Sequence, residues 1–320
     1  MNIVVGLLLC VVITSVRDVA GQTTGQVVSL WDDPSWERGL TVWSPKPGRH
    51  VKQGELRPWP DRGAPVWGVA QWHSRFTLAD ATPEKLTSGA VRFSDGAKAV
   101  VFGPAASDQA DLILALDATK EYGPRSPEPG DPWPHLLVER RLIEHPAITE
   151  TASVPLHIRY RLLKARADER PGWTDRRHTA QFVFYVTVQN LNRSSPGHGD
   201  YLWLGLLLYD RRHRFPPAYA AQDIGSSKKK GTGKFIFQPD FKRVSQQSPH
   251  DGEWVTIDAD LLPMMREALD TAWQRGYLEE SKDPADYRLG SMNMGWEITG
   301  PIDAAVQVQG LRLDARMKQE

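Results

Sequence analysis

Four stretches of this chain alternate apolar and polar residues with a period of two, and no other feature limits its possible folds as strongly. Successive side chains of a β-strand point to opposite faces, so this period commits one face to a core. In 156–163, Leu156, Ile158, Tyr160 and Leu162 alternate with His157, Arg159 and Arg161. In 181–189, Phe182, Phe184, Val186 and Val188 oppose Gln181, Tyr185, Thr187 and Gln189. In 201–209 an all-leucine face (Leu202, Leu204, Leu206, Leu208) opposes Tyr201, Trp203 and Tyr209. The final run, 304–313, sets Val306 and Val308 against Gln307 and Gln309, then slips by one so that Leu311 and Leu313 become apolar. Gly310 sits at the slip and predicts a β-bulge.

Further short runs bounded by Gly, Pro, Asp or Ser read as strands over 67–78, 90–93, 98–102, 111–117, 233–237, 253–257 and 287–298. At least ten strands with turns at sandwich spacing predict an all-β chain, an antiparallel two-sheet β-sandwich of jelly-roll type. One segment departs from this period. In 260–277, Leu261, Leu262, Met265, Ala268, Leu269, Ala272 and Trp273 recur at helical spacing. Asp260 precedes them, Pro263 falls in the first turn and Gly276 follows, which predicts one inserted amphipathic helix. Five prolines between Glu121 and Pro134 forbid ladder pairing and predict a surface loop. No repeat or long linker divides 22–320, so a single domain is expected.

Ile3–Val16 is an apolar run too short to span a bilayer and is followed by a polar stretch, so 1–21 reads as a secretory signal peptide. The expected location is secreted or periplasmic, without stable membrane insertion after cleavage. The single cysteine, Cys10, lies in this leader, which leaves the mature chain without disulfides or thiolate chemistry. With 39 basic and 39 acidic residues there is no basic excess, and nucleic acid is not expected as a partner. The leader contains one Arg and one Asp, so its removal leaves the balance at zero. No HExxH or G-x-S-x-G is present, which argues against a metalloprotease-type zinc site and an α/β-hydrolase serine.

If the four alternating strands share a sheet, its outer face carries aromatic rings, amides, hydroxyls, His and Arg. Flat rings stack on the C–H faces of sugars, while amides and guanidinium groups pair with hydroxyls or a uronate carboxylate. The candidate substrate-binding residues are Arg159, Arg161, Tyr185, Gln189, Tyr201, Trp203 and Tyr209. The alternative is that Tyr and Thr simply favour strands and that loops cover this face.

The ending Ala304–Asp314 and the aromatic strand Tyr201–Tyr209 resemble secreted carbohydrate-binding and carbohydrate-active jelly-roll proteins. The resemblance is to the broad group and to no specific family within it. It implies a polysaccharide or oligosaccharide partner and a structural calcium between the first and last strands, where Asp32, Asp33 and Asp314 match; no other cofactor is expected. The length and the inserted helix depart from the pattern of binding modules. The leading reading is a polysaccharide-binding protein without catalysis. A second is a polysaccharide lyase or glycoside hydrolase on the same face, with His157, Arg159, Tyr185 and Glu297 as catalytic candidates and Asp210 as a possible carboxylate partner of Glu297. A third is an envelope structural or interaction protein whose polar face is buried against a partner.

Overall fold

In the computed structural model, which describes residues 26–103, 111–226 and 229–319, the alternating segments sort into two stacked nine-stranded sheets. The expected leader at 1–21 lies outside the described residues. The back sheet contains β1 (Val27–Ser29), β5 (Glu84–Lys85), β6 (Val91–Ser94), β7 (Lys98–Phe102), β8 (Leu112–Asp117), β10 (Thr151–Ser153), β11 (Pro155–Ala167), β18 (Val255–Asp260) and β20 (Ile302–Met317). Its main path runs β18-β11-β20-β8-β7-β6-β5, with β1 and β10 also paired to β20. The front sheet contains β2 (Leu40–Trp43), β3 (Lys52–Leu56), β4 (Trp67–Ala70), β9 (His135–Arg141), β12 (Ala180–Asn190), β13 (Tyr201–Asp210), β14 (Tyr219–Gln222), β17 (Phe235–Gln238) and β19 (Tyr287–Ile298). Its order is β14-β17-β13-β12-β19-β9-β4-β2-β3. A small pair, β15 (Gly225–Ser226) with β16 (Lys229–Lys230), stands apart.

This is the expected jelly-roll-like sandwich, with one refinement. The ladders are antiparallel except β13–β17 and β2–β4, which run parallel. The bulge expected at Gly310 is present: its φ is +61°, and the register jumps from Arg159↔Gln309 to His157↔Arg312. The helix α1 spans Leu261–Gln274, with the Asp260 side chain accepting from the Leu262 N–H as its N-cap. Its predicted apolar face, from Leu261 and Leu262 to Ala272, is buried.

Two buried hydrogen bonds tie one layer to the other. The Trp296 indole of β19 donates to the Leu114 carbonyl of β8 at 2.9 Å, and the Tyr160 hydroxyl of β11 donates to the Leu208 carbonyl of β13 at 2.7 Å. Both side chains are fully buried, and Phe182 packs against each ring, with centroids 5.2 Å from Trp296 and 6.3 Å from Tyr160. Other tryptophans fill the core beside β4, where Trp31 and Trp36 meet Trp67. A buried ion cluster closes one edge. Lys98 bonds the Asp95 carboxylate, the Phe76 carbonyl and the Ser74 hydroxyl, and Glu121 accepts from that same hydroxyl. Burial lowers the Lys98 pKa while Asp95 and Glu121 oppose the shift.

Trp296→Ala is expected to cost about 3–5 kcal/mol as a large core truncation. Tyr160→Phe, which leaves the Leu208 carbonyl without its cross-layer donor, is expected to cost about 1–2 kcal/mol. Denaturant melts of both variants check this order; equal losses would show that the two ties are not separable from ring packing.

Candidate functional site

The outward face of the front sheet is the floor of a cleft of about 1790 Å³. Strand pairing arranges its side chains in rows across the sheet, spaced by two residues or ~6.7 Å. The first row is Asp210, Gln181, Glu297 and His135. The second is Leu207, Val183, Gly295, Leu137 and Ala70. The third is Gly205, Tyr185, Asn293, Glu139 and Gly68. The middle row is thus an apolar strip between two polar rows, each holding one glutamate on the cleft. Trp72, Trp133, Tyr201, Trp203 and Tyr219 line the walls. The proline-rich segment 121–134 forms part of the rim, held by the Ser126 N–H to the Pro171 carbonyl and by His178 Nε2 to the Pro127 carbonyl.

Glu297 lies partly buried, with 22% of its side chain exposed. Burial, reinforced by the negative field of Asp223, raises its pKa to about 7. Its neighbour His135 stands 3.8 Å away and is pushed down to about 4 by burial. Between those values both groups are neutral, so the contact is not an ion pair. The Trp133 carbonyl can only accept, so His135 Nδ1 carries the proton at that 2.9 Å contact and Nε2 turns its lone pair toward Glu297. Glu139 differs. Burial raises its pKa too, but His50 Nε2 at 2.7 Å favours its charged form. Between them Gly295 keeps the floor flat, because a Cβ there would meet the Leu136 carbonyl oxygen at 2.0 Å.

The sequence-derived candidates divide between the two layers. Tyr185, Gln189, Tyr201, Trp203 and Glu297 line the cleft. His157, Arg159 and Arg161 lie on β11 of the back sheet, so the single groove that would have united them with Tyr185 and Trp203 does not exist. Alternation assigns a side chain to the inner or outer face of its own sheet but does not say which sheet that is. The lyase constellation of His157, Arg159, Tyr185 and Gln189 is split for the same reason. Tyr185 is also a poor base: burial raises its pKa strongly, and its hydroxyl accepts from Gln238.

Tyr209 is displaced as well. Leu208 is an extra residue between the pairs Leu207↔Val183 and Tyr209↔Phe182, and this bulge turns Tyr209 into the core against Trp296 and His250. Asp210 thereby takes the cleft-side position expected of its neighbour. It sits two strands from Glu297 in the same row, but Thr179, Gln181 and Arg212 all donate to its carboxylate. Burial opposes its charge, yet these donors hold it below the usual carboxylate range, so it is a fixed anion with its lone pairs occupied. Asp32 is engaged by Arg38 and Arg140, Asp33 caps the N–H groups of Glu37 and Arg38, and Asp314 pairs with Ser29 across β20 and β1. Among the described residues no group of three His, Cys, Asp or Glu is arranged to hold a metal ion.

Glu139, His135 and His50 were not singled out from the sequence. The signal for the first two was the alternation of His135, Leu137, Glu139 and Arg141 in β9, masked by the consecutive apolar Leu136–Val138 and the adjoining proline loop.

No family model matches the chain, and no curated protein matches it. Among solved structures it is similar to an endoglucanase of Rhodothermus marinus, at 8% identity over 74% of this chain and 97% of that one, with a TM-score of 0.40. A family 12 xyloglucanase of Bacillus licheniformis gives 10% identity, 74% and 97% coverage and a TM-score of 0.41. A family 11 xylanase of Neocallimastix patriciarum gives 10%, 73% and 94% with 0.36. Likenesses this distant say nothing about the site, whose chemistry follows from the side chains above.

A carboxyl whose folded pKa is raised from 4.5 to about 7 favours folding below pH 4.5 and loses that contribution as pH rises through 7. Glu297→Gln is therefore expected to stabilise the protein at pH 8, on the order of 2 kcal/mol, and to change little at pH 4.5. Thermal melts at the two pH values measure this difference. Gly295→Ala is expected to cost about 3 kcal/mol through the clash at Leu136, read from the same melts at a single pH.

Proposed function

We propose that this cleft binds a polysaccharide and hydrolyses its glycosidic bonds, with Glu297 as general acid and Glu139 as general base. The observation that carries this reading is the pair of glutamates on adjacent strands, one on each side of the apolar strip, in a cleft walled by aromatic rings. Rings such as Trp203 and Trp72 offer flat faces to sugar C–H groups, and Gln181, Gln189 and Asn293 offer amides to hydroxyls. Glu297 keeps its proton near neutrality and can deliver it to the departing glycosidic oxygen. Glu139 in its charged form, which the contact with His50 favours, takes a proton from a water whose oxygen attacks the anomeric carbon. The two residues stand four positions apart along the strand and one strand across, ~14 Å between Cα atoms. At that span the ~5 Å carboxyl spacing of retaining enzymes is out of reach, and the spacing of about 6.5–9.5 Å in inverting hydrolysis requires both side chains to lean toward each other over the apolar strip. The leader read at 1–21 would deliver the protein to the secreted or periplasmic compartment where such polymers occur.

Binding without catalysis is the second reading. It is favoured by the engagement of Glu139 with His50, which occupies the group a hydrolase would leave for water.

Incubation with a panel of neutral and acidic polysaccharides, followed by assay of new reducing ends, separates the two. Hydrolysis predicts release by the wild type, a fall of at least a thousandfold in kcat for Glu297→Gln, and an inverted anomer as first product by NMR. Binding alone predicts no release from any polymer, with affinity retained in Glu297→Gln and lost in Trp203→Ala. An unsaturated product would instead point to elimination.

A further inference from the structure

The outer face of the back sheet, on the opposite side of the molecule from the cleft, carries its own built arrangement of cations. Along β11, His157, Arg159, Arg161, Lys164 and Arg166 all project outward, over a length of ~30 Å at ~3.3 Å per residue. His157 is taken by Asp258 at 2.6 Å and Lys164 by Asp303 at 2.6 Å. Arg159, Arg161 and Arg166 have no carboxylate within ion-pair distance among the described residues.

Two of these guanidinium groups are also fixed in place. Trp254, just before β18, lies against both, with the Arg159 carbon 4.3 Å and the Arg161 carbon 5.0 Å from its ring centroid. On the other side β20 supplies an amide to each: Gln309 accepts from Arg159 at 3.4 Å and Gln307 from Arg161 at 3.0 Å. The Arg161 Nε is buried and has no acceptor among the described residues. A solvated surface arginine normally wanders among rotamers. Here an aromatic ring and two neutral amides hold a pair of forks without neutralising them, and the remaining N–H groups stay available to oxygen anions.

We infer that this face is a second binding surface, specific for the oxyanion groups of an acidic polysaccharide, either sulfate esters or uronate carboxylates. Arg159 and Arg161 provide the forked contacts, Trp254 both orients them and presents an edge to the sugar ring, and Arg166 extends the track along the strand. The surface stands on residues separate from the cleft and does not require that the cleft be catalytic.

Affinity electrophoresis of the full chain through gels containing dextran sulfate, polygalacturonate or uncharged dextran tests this. The wild type should be retarded by at least one anionic polymer and not by dextran, with retardation falling as salt is raised. Retardation by dextran sulfate alone assigns sulfate esters, and by polygalacturonate alone uronates. Arg159→Gln with Arg161→Gln should weaken the apparent Kd at least tenfold. Arg159→Lys with Arg161→Lys keeps the charge but loses the forks and the ring contact, and should weaken it nearly as much, provided its Tm matches the wild type. No retardation by either anionic polymer, or equal retardation of the Lys variant, would overturn the inference. Glu297→Gln should bind this face like the wild type, so loss of hydrolysis and loss of back-face binding are read independently.

Discussion

The hydrogen bond from the Tyr160 hydroxyl to the Leu208 carbonyl is the interaction on which the two layers depend most specifically. A sandwich has no backbone ladder between its sheets; area burial holds them together but does not fix their register. Tyr160 supplies that register at the one residue of β13 that the β12 ladder leaves unpaired. The Trp296 bond to Leu114 repeats the device one strand beyond β12. Trp296 and Glu297 are consecutive, so the ring anchored in the core fixes the height and direction at which the carboxyl leaves the floor on the other side.

The cleft and the back face solve opposite electrostatic problems. In the cleft, burial suppresses charge at one end, so that Glu297 and His135 coexist as neutral groups at intermediate pH, while Thr179, Gln181 and Arg212 hold Asp210 as an anion. On β11 the cations remain in or near water, and their order comes from Trp254 and two amides. A chain with zero net charge thus carries a proton-holding hollow on one side and a strip of available guanidinium groups on the other.

What the sequence revealed follows from how far each signal reaches. Alternation is local, so it located the inner faces of β11, β12 and β20 correctly, and the parity slip at Gly310 was readable because Leu311 and Leu313 changed side within four residues. The helix was equally plain, since its cap and its apolar stripe lie in one continuous segment. The layer to which a strand belongs is a long-range property, and Arg159 was therefore grouped with Trp203. The bulge at Leu208 left a fainter mark: Leu206, Leu207 and Leu208 fill both faces there, and only Asp210, which unbroken alternation would send to the core, signals the change of phase. Glu139 escaped because its partner His50 comes from a distant loop.

The inserted Leu208 also means that the composition of β13 does not determine what it shows to the cleft; the register of its pairing with β12 does. Were Leu208 instead to pair with Phe182 in an unbroken ladder, Tyr209 and Asp210 would exchange faces. A phenol would then stand opposite Gln181 in the row with Glu297, and a carboxylate with its arginine would turn toward the core beside the buried Ala180. The charge at this end of the cleft is therefore set by a frame, in the sense that a one-residue shift of register rewrites it while leaving every letter of the strand unchanged.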